Sequence, residues 1–338
     1  MIRVGIIGAS GYTGAELLRL CAQHPEFEVA YATGDTQAGT RAAALYPSLA
    51  GHYPALMFEE FDAARAEGLD LVFLGLPHEA SMALAPQLVG KVGCVVDLSA
   101  AYRLKDASLY PQWYGFTHDQ PALLAQAVFG LPELHRAELA GAQLVATPGC
   151  HVTAATLALA PLVQTGMIET TGIVVNSITG VSGAGRALKH GSLFCTVDED
   201  VTAYGLLDHR HTPEIEQEVG AQVLFTPHLA PLSRGLLATC YSRPAGATST
   251  AGLLTALRDA YANEPFIVID EASPSTKATL GSNTAHLTAR FDERTGTVIS
   301  ICAIDNIAKG ASGGAVQAAN VALGLSETAG LSLVGLYP

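Results

Sequence analysis

The sequence predicts an α/β protein: a doubly wound parallel sheet in the first part of the chain, then a second domain built on a mixed or antiparallel sheet. Three observations carry this reading. β-rich runs alternate with helical ones as far as Leu98, a glycine-spaced turn follows the first run, and from about Ile173 the β-type runs lengthen while the helical alternation weakens.

In order, the runs are Val4 to Ile7, helical Ala15 to Ala22, Glu28 to Ala32, Leu69 to Leu74, helical Ala80 to Leu88, and Val92 to Leu98. Leu71-Val72-Phe73-Leu74 and Cys94-Val95-Val96 are apolar without alternation, as expected of parallel strands covered by helices on both faces. The later β-type runs are Ile173 to Thr179, Gln222 to Thr226, Leu236 to Tyr241, Phe266 to Ile269, His286 to Phe291 and Thr297 to Ile304. The Ala-rich stretch from Gly310 to Leu325 has helical apolar spacing and suits a return to the first domain. No repeat or low-complexity tract interrupts this order.

Composition narrows the function classes. A chain of 338 residues with 49% hydrophobic and 14% charged residues, and 34 glycines, can fill more than one core with close helix-on-strand packing. A net charge of −13 without a Lys/Arg cluster argues against a phosphate-backbone track. The apolar stretches break well before the roughly 18 residues of a membrane span. The first strand begins almost at Met1, which leaves no space for an export signal, so a cytoplasmic location is expected. Six cysteines at 21, 94, 150, 195, 240 and 302 form no C-x-x-C pair, which speaks against a zinc site or disulfide framework.

Between the first strand and first helix lies Gly8-Ala9-Ser10-Gly11-Tyr12-Thr13-Gly14. Such a turn lets main-chain N–H groups at a helix N-terminus face a pyrophosphate, with glycine permitting close approach. Its G-x-x-G-x-x-G spacing also fits an ordinary tight turn; strand before and helix after favour the dinucleotide. The second strand ends in Ala32-Thr33-Gly34-Asp35. A hydroxyl at Thr33, where an acid would bind a ribose 2′-OH, leans toward NADP, while Asp35 leaves the choice open.

Leu144 to Thr147 reads as a strand, Pro148-Gly149 breaks it, and Cys150 sits at the start of a helical run from Val152 to Val163. A thiol there feels the positive end of the helix dipole, which favours thiolate and hence a nucleophile; a small buried residue at a turn is the alternative. His209-Arg210-His211, just before another helix start, supplies imidazoles able to give and take a proton. The H-x-H spacing would also suit a metal, but no third ligand lies nearby, and none is expected. Thr179 to Arg186, with its glycines, and Asp97 to Arg103 both end strands and suit anions or carbonyls.

Together these segments resemble the N-acetyl-gamma-glutamyl-phosphate reductase family. The resemblance covers nearly the whole chain, through Gly8 to Gly14, Asp97 to Arg103, Tyr114-Gly115-Phe116, Pro148-Gly149-Cys150, Ser182 to Arg186, His209 to Ile215, Phe225 to His228 and Asn306 to Ala311. It implies a Rossmann-type NADP domain over 1–148 and 309–338, and an α+β catalytic and dimerisation domain over 149–308, as in glyceraldehyde-phosphate dehydrogenase. It implies NADPH-dependent reduction of an acyl phosphate through a thioester on Cys150, in arginine biosynthesis, with His211 and His209 in acid–base roles.

By the same resemblance, Gly8, Ser10, Gly11, Tyr12, Thr13, Gly14, Thr33, Ser99, Ser182, Gly183 and Asn306 attend the cofactor, Asn306 at the nicotinamide amide. Arg103, Gly149 and Arg186 attend the substrate. The partners implied are a small-molecule substrate and a second copy of the chain, as dimer or tetramer, with neither nucleic acid nor membrane. One departure stands out: the family has Tyr after the nucleophile, and this chain has His151. The rivals are a dehydrogenase for aspartyl phosphate or a carrier-bound aminoadipyl group, and a non-catalytic NADP sensor.

Overall fold

The computed structural model describes residues 1–337, which form two compact units: 1–148 with 311–331, and 149–310 with 332–337. The first holds a six-stranded sheet of β1 (Ile2–Ile7), β2 (Phe27–Ala32), β3 (Leu71–Leu74), β4 (Cys94–Asp97), β5 (Val128–Phe129) and β6 (Leu144–Ala146) in the order β2-β1-β3-β4-β6-β5. Every pairing is parallel. Strand order reverses between β1 and β3, the switch point at whose carboxyl end open α/β sheets bind ligands. Helix α1 (Tyr12–Cys21) follows β1, and α2 (His78–Leu88) follows β3. β3 and β4 are buried along their whole length, as their unbroken apolar runs predict.

The helix Gly313–Ala322 belongs to this unit, where Ala315, Val316, Ala318 and Ala319 join the core of β1, β3 and α1. It is shorter than the predicted stretch because a π-type turn, Ala308–Ser312, precedes it. The segment from Ser332, expected with the first domain, clusters with the second instead. There Asn283 N–H donates to the Ser332 carbonyl at 2.9 Å and Leu336 N–H to the Leu280 carbonyl at 2.7 Å.

The second unit has a seven-stranded mixed sheet: β7 (Ile173–Gly180), β8 (Thr202–Ala203), β9 (Val223–Ala230), β10 (Leu236–Ser242), β11 (Ile267–Ile269), β12 (Ala285–Asp292) and β13 (Thr297–Ile304). Their order is β11-β12-β13-β10-β7-β9-β8, with β7 parallel to β9 and antiparallel to β10. On β7, Ile173, Val175 and Ser177 are buried while Val174 and Asn176 are partly exposed, the period-two pattern of a sheet with one covered face. Helices α4 (Cys150–Gln164), α5 (His211–Val219) and α6 (Thr250–Ala260) also belong to this unit, α3 (Pro132–Leu139) to the first.

Buried almost throughout, α4 is apolar on all sides, which a helix tolerates only inside a core. Pro161 interrupts it, and a mid-helix proline removes the N–H that the carbonyl four residues earlier would accept. That carbonyl, Leu157 O, instead accepts the Tyr261 hydroxyl at 2.9 Å. The first unit repeats the arrangement: Pro86 lies inside α2, and Met82 O accepts the Tyr102 hydroxyl at 3.0 Å. Tyr261→Phe leaves a buried carbonyl without its donor. It should lower the stability of the second unit by about 1–3 kcal/mol, read as a lower midpoint in thermal or urea unfolding followed by circular dichroism.

Candidate active site

Cys150 is the first residue of α4 and is half-buried. The residue before it, Gly149, is extended (φ −69°, ψ 152°), and no side chain caps the helix, so the first-turn N–H groups face the thiol's surroundings. Two glycines bring other groups against this point. A Cβ on Gly310 would fall 2.7 Å from Cys150 Cβ, so only a bare backbone passes there. A Cβ on Gly149 would fall 2.2 Å from His211 Nε2 and 2.6 Å from its Cε1. The His211 ring therefore rests on the main chain next to Cys150, in space that any other residue at 149 would fill.

Three imidazoles cluster here. The His209 and His211 rings lie 4.7 Å apart, and His151 lies 5.9 and 5.6 Å from them. His211 opens α5, and its own N–H donates to His209 Nδ1 at 3.1 Å. That bond makes Nδ1 an acceptor, so His209 is neutral with its proton on Nε2. Burial pushes the His209 pKa down to about 4, with the Arg210 charge acting in the same direction and Asp208 against it. His151 is fully buried, and burial, then His209 and His228, push it down to about 3. Its Nδ1 lies 2.7 Å from Ser177 Oγ and its Nε2 3.1 Å from the Tyr204 hydroxyl. Glu214, fully buried on α5, lies with one oxygen 3.4 Å from Gly149 N.

Ser182, Gly183 and Asn306 also meet. Asn306 Nδ2 donates to Ser182 Oγ at 3.0 Å, its Oδ1 accepts Gly235 N–H at 2.7 Å, and Gly183 stands beside the same amide. Behind it, buried Asp305 pairs with Arg234 at 2.9 Å and accepts N–H groups from Gly281, Ile307 and Ala308. This carboxylate fixes the strand end from which Asn306 projects. Arg186 follows Gly185, whose φ of +80° glycine alone adopts readily, and is exposed.

In the first unit, Gly8 takes φ +89° with its Cα so near β3 that a Cβ would lie 2.4 Å from Gly75 O; at Gly14 a Cβ would lie 2.4 Å from Ala9 Cα. Gly11 caps α1, Tyr12 and Thr13 form its first turn, and Tyr12 is exposed. The expectation for Thr33 changes. It is buried, and its hydroxyl accepts the Gly8 N–H at 3.1 Å, so it braces the glycine turn rather than offering itself outward. Ser10 behaves similarly, donating to Gly34 O at 3.0 Å.

Ser99 is likewise turned inward: its hydroxyl donates to buried Asp97 at 2.7 Å and accepts Ala101 N–H at 3.0 Å. Burial raises the Asp97 pKa against the lowering effect of Ser81, Ser99 and Arg103. Arg103 is itself buried and donates to the carbonyls of Thr147 at 2.6 Å and Leu98 at 3.0 Å. Sequence reasoning passed over Tyr204, Ser177 and the Asp305–Arg234 pair. Only Asp305 had a signal, as the neighbour of Asn306. Tyr204 and Ser177 lie 54 and 27 residues from Cys150 on a loop and a strand, and nothing but the fold joins them.

The chain matches the profile of the semialdehyde dehydrogenase NAD binding domain over residues 3–142 and that of the semialdehyde dehydrogenase dimerisation domain over 150–306. It is 46% identical to the N-acetyl-gamma-glutamyl-phosphate reductase of Symbiobacterium thermophilum, covering 100% of this chain and 99% of that protein. It is 44% identical to that of Citrifermentans bemidjiense over 100% of both. Among solved structures, aspartate semialdehyde dehydrogenase II of Vibrio cholerae shares the fold at a TM-score of 0.72 and 16% identity, over 96% of this chain and 98% of that one. Two domain matches end to end, and full-length identity well above that needed to share a family, agree with the glycine turn and the cysteine at its helix start: the chain belongs to the N-acetyl-gamma-glutamyl-phosphate reductase family of semialdehyde dehydrogenases.

Proposed function

We propose that this chain reduces N-acetyl-L-glutamyl 5-phosphate to N-acetyl-L-glutamate 5-semialdehyde and phosphate with NADPH, through a thioester on Cys150. One observation carries the reading: the His211 imidazole is seated on Gly149, beside a cysteine at the uncapped start of a buried helix. The Gly8 to Gly14 turn suits a dinucleotide, since its close approaches leave backbone rather than side chains at the switch point. The NADP-binding part comprises 1–148 and the helix Gly313–Ala322.

Cys150 attacks the acyl carbon; the bond to the phosphate oxygen breaks, phosphate leaves with the electron pair, and a thioester remains. When bound, NADPH supplies the hydride that reduces this thioester. First-turn N–H groups of α4 face the oxygen that gains charge, and His211 holds the proton exchanged with it before the Cys150–carbon bond breaks and frees the aldehyde. His209, neutral and bonded to the His211 main chain, orients α5's first residue. Arg186 is exposed for a substrate carboxylate or phosphate. Arg103 has already engaged two carbonyls and shapes the turn it serves. Asn306 and Ser182 present the nicotinamide end with paired amide and hydroxyl groups.

The chain also acts as a homo-oligomer in the cytoplasm. On the outer face of the second sheet, Val174 pairs with Leu224 and Tyr241, and Ile178 lies further along β7; Leu224 is 50% exposed and Tyr241 37%. Such an apolar face calls for a cover. All six cysteines are free thiols, which suits a reducing compartment. No helix among the described residues is long and apolar enough to cross a membrane.

In the reverse direction, the wild type should reduce NADP with N-acetylglutamate semialdehyde only when phosphate is present. Cys150→Ala should show no turnover, and His211→Asn a loss of about 10²- to 10⁴-fold. Turnover of aspartate semialdehyde instead would move the substrate to the aspartyl rival, and turnover of neither aldehyde would remove the catalytic reading. By sedimentation the wild type should be a dimer or larger, with Leu224→Glu shifting it toward monomer; a monomeric wild type contradicts the oligomer.

His151 and His209, at about 3 and 4, lie below the ordinary 6.5. Between those values the unfolded chain binds protons that the folded chain refuses. Their contribution to stability is full above about pH 6.5 and is lost as pH falls toward 4. The unfolding midpoint should drop between pH 7 and pH 5, and His209→Asn should flatten that drop; an equal slope in wild type and variant contradicts it.

A further inference from the structure

The end of β2 carries a carboxylate that the chemistry just described does not use. Two hydrogen bonds fasten the glycine turn to this strand end: Ala9 N–H donates to Thr33 O at 2.7 Å, and Ser10 Oγ donates to Gly34 O at 3.0 Å. The second carbonyl belongs to the peptide that joins Gly34 to Asp35. Asp35 therefore stands directly beside the turn, at the strand end where a Rossmann-type sheet holds the adenosine ribose. Thr33 is turned inward on Gly8, so the first polar side chain left to face that ribose is Asp35.

The loop that bears Asp35 is held from behind. A Cβ on Gly34 would fall 2.7 Å from Phe58 Cβ, and Gly34 N–H donates to Glu59 O at 3.1 Å. Further on, Gly39 N–H donates to Phe58 O at 2.8 Å and Phe58 N–H to Thr40 O at 2.9 Å. Inside this frame Asp35 adopts φ +45°, a conformation that Asp and Asn tolerate better than other side chains. Its carboxylate is exposed and accepts no hydrogen bond from the described residues. The backbone is fixed while the charge stays available.

We propose that Asp35 is a specificity-determining residue of the cofactor site: its carboxylate accepts the 2′-hydroxyl of the adenosine ribose and repels a 2′-phosphate, so the chain takes NADH as well as NADPH. The reading of the Gly8 to Gly14 turn as the dinucleotide site underlies this step. A ribose 2′-hydroxyl is a donor, and its bond to a carboxylate is charge-assisted. In NADPH the same position carries a second anion instead. Nearby charge does little to offset it: the adjoining segment holds Glu59, Glu60 and Asp62, and Arg65 is paired with Glu59 at 3.0 Å. Arg41, exposed at the end of the loop, supplies the opposite sign. Repulsion on an exposed loop is modest, so Asp35 narrows the preference for NADPH without abolishing its binding.

The test reads binding rather than turnover. Dissociation constants of NADPH and NADH for the full chain are measured without substrate, by titration calorimetry or by the fluorescence of the reduced nicotinamide. In the wild type the two should lie within about tenfold of each other. Asp35→Asn keeps the backbone conformation and drops the charge; it should tighten NADPH about tenfold and leave NADH no tighter. That gain should shrink as salt is raised. Asp35→Gly, at ease with positive φ, removes the acceptor and should weaken NADH about tenfold. A wider wild-type preference for NADPH, or an NADPH affinity that Asp35→Asn leaves unmoved, overturns the proposal, as does NADH binding indifferent to Asp35→Gly. If NADPH binds and NADH does not, the dinucleotide site stands and this proposal alone falls. Binding of neither removes the site and the proposal together.

Discussion

The site depends on a missing side chain. His211 occupies the volume where a Cβ at Gly149 would be, which is how an imidazole on α5 comes to rest on the turn that starts α4. From that contact the other placements follow. The His211 main chain reaches His209, the His209 ring braces Tyr204, and Tyr204 meets His151 on the first turn of α4. Against Cys150 itself, Gly310 likewise leaves no room for a side chain. Two glycines far apart in sequence thus set how closely protein can crowd one sulfur.

Much of the fold was legible because its signals are local. An apolar run without alternation, a glycine turn and a helical spacing each report on neighbours in sequence, and β1, β3, β4, α1 and α4 follow them within a few residues. The two-residue strands β5 and β8 were not legible; they are too short to carry a period and exist because a neighbouring strand edge accepts them. The segment from Ser332 clusters with the second unit, and its main-chain hydrogen bonds to Leu280 and Asn283 leave no mark on side-chain pattern.

At the site, residue types were readable and their directions were not. Thr33 and Ser99 sit just past the ends of β2 and β4, and hydroxyls there suggest outward contact. Whether a hydroxyl faces out or braces its own loop depends on which N–H or carboxylate lies within 3 Å, and for these two it is Gly8 and Asp97. His151 shows the converse. A substitution next to Cys150 reads as a disturbance in sequence, yet in the fold the imidazole has two partners, one supplied by a strand and one by a loop.

Because α4 is buried almost from end to end, with its one proline defect closed by Tyr261, the Cys150 thiol stands at the tip of a rod embedded in the core rather than on a loop. A loop-borne cysteine can wander while its scaffold stays intact. Here the first turn of the rod shares its fate with Leu157, Leu159 and Leu162, so the thiol's excursions are governed by the opening of the whole domain core. Selection for a softer or stiffer reactive centre would in this architecture have to act on the interior of the protein, at residues that never meet a substrate.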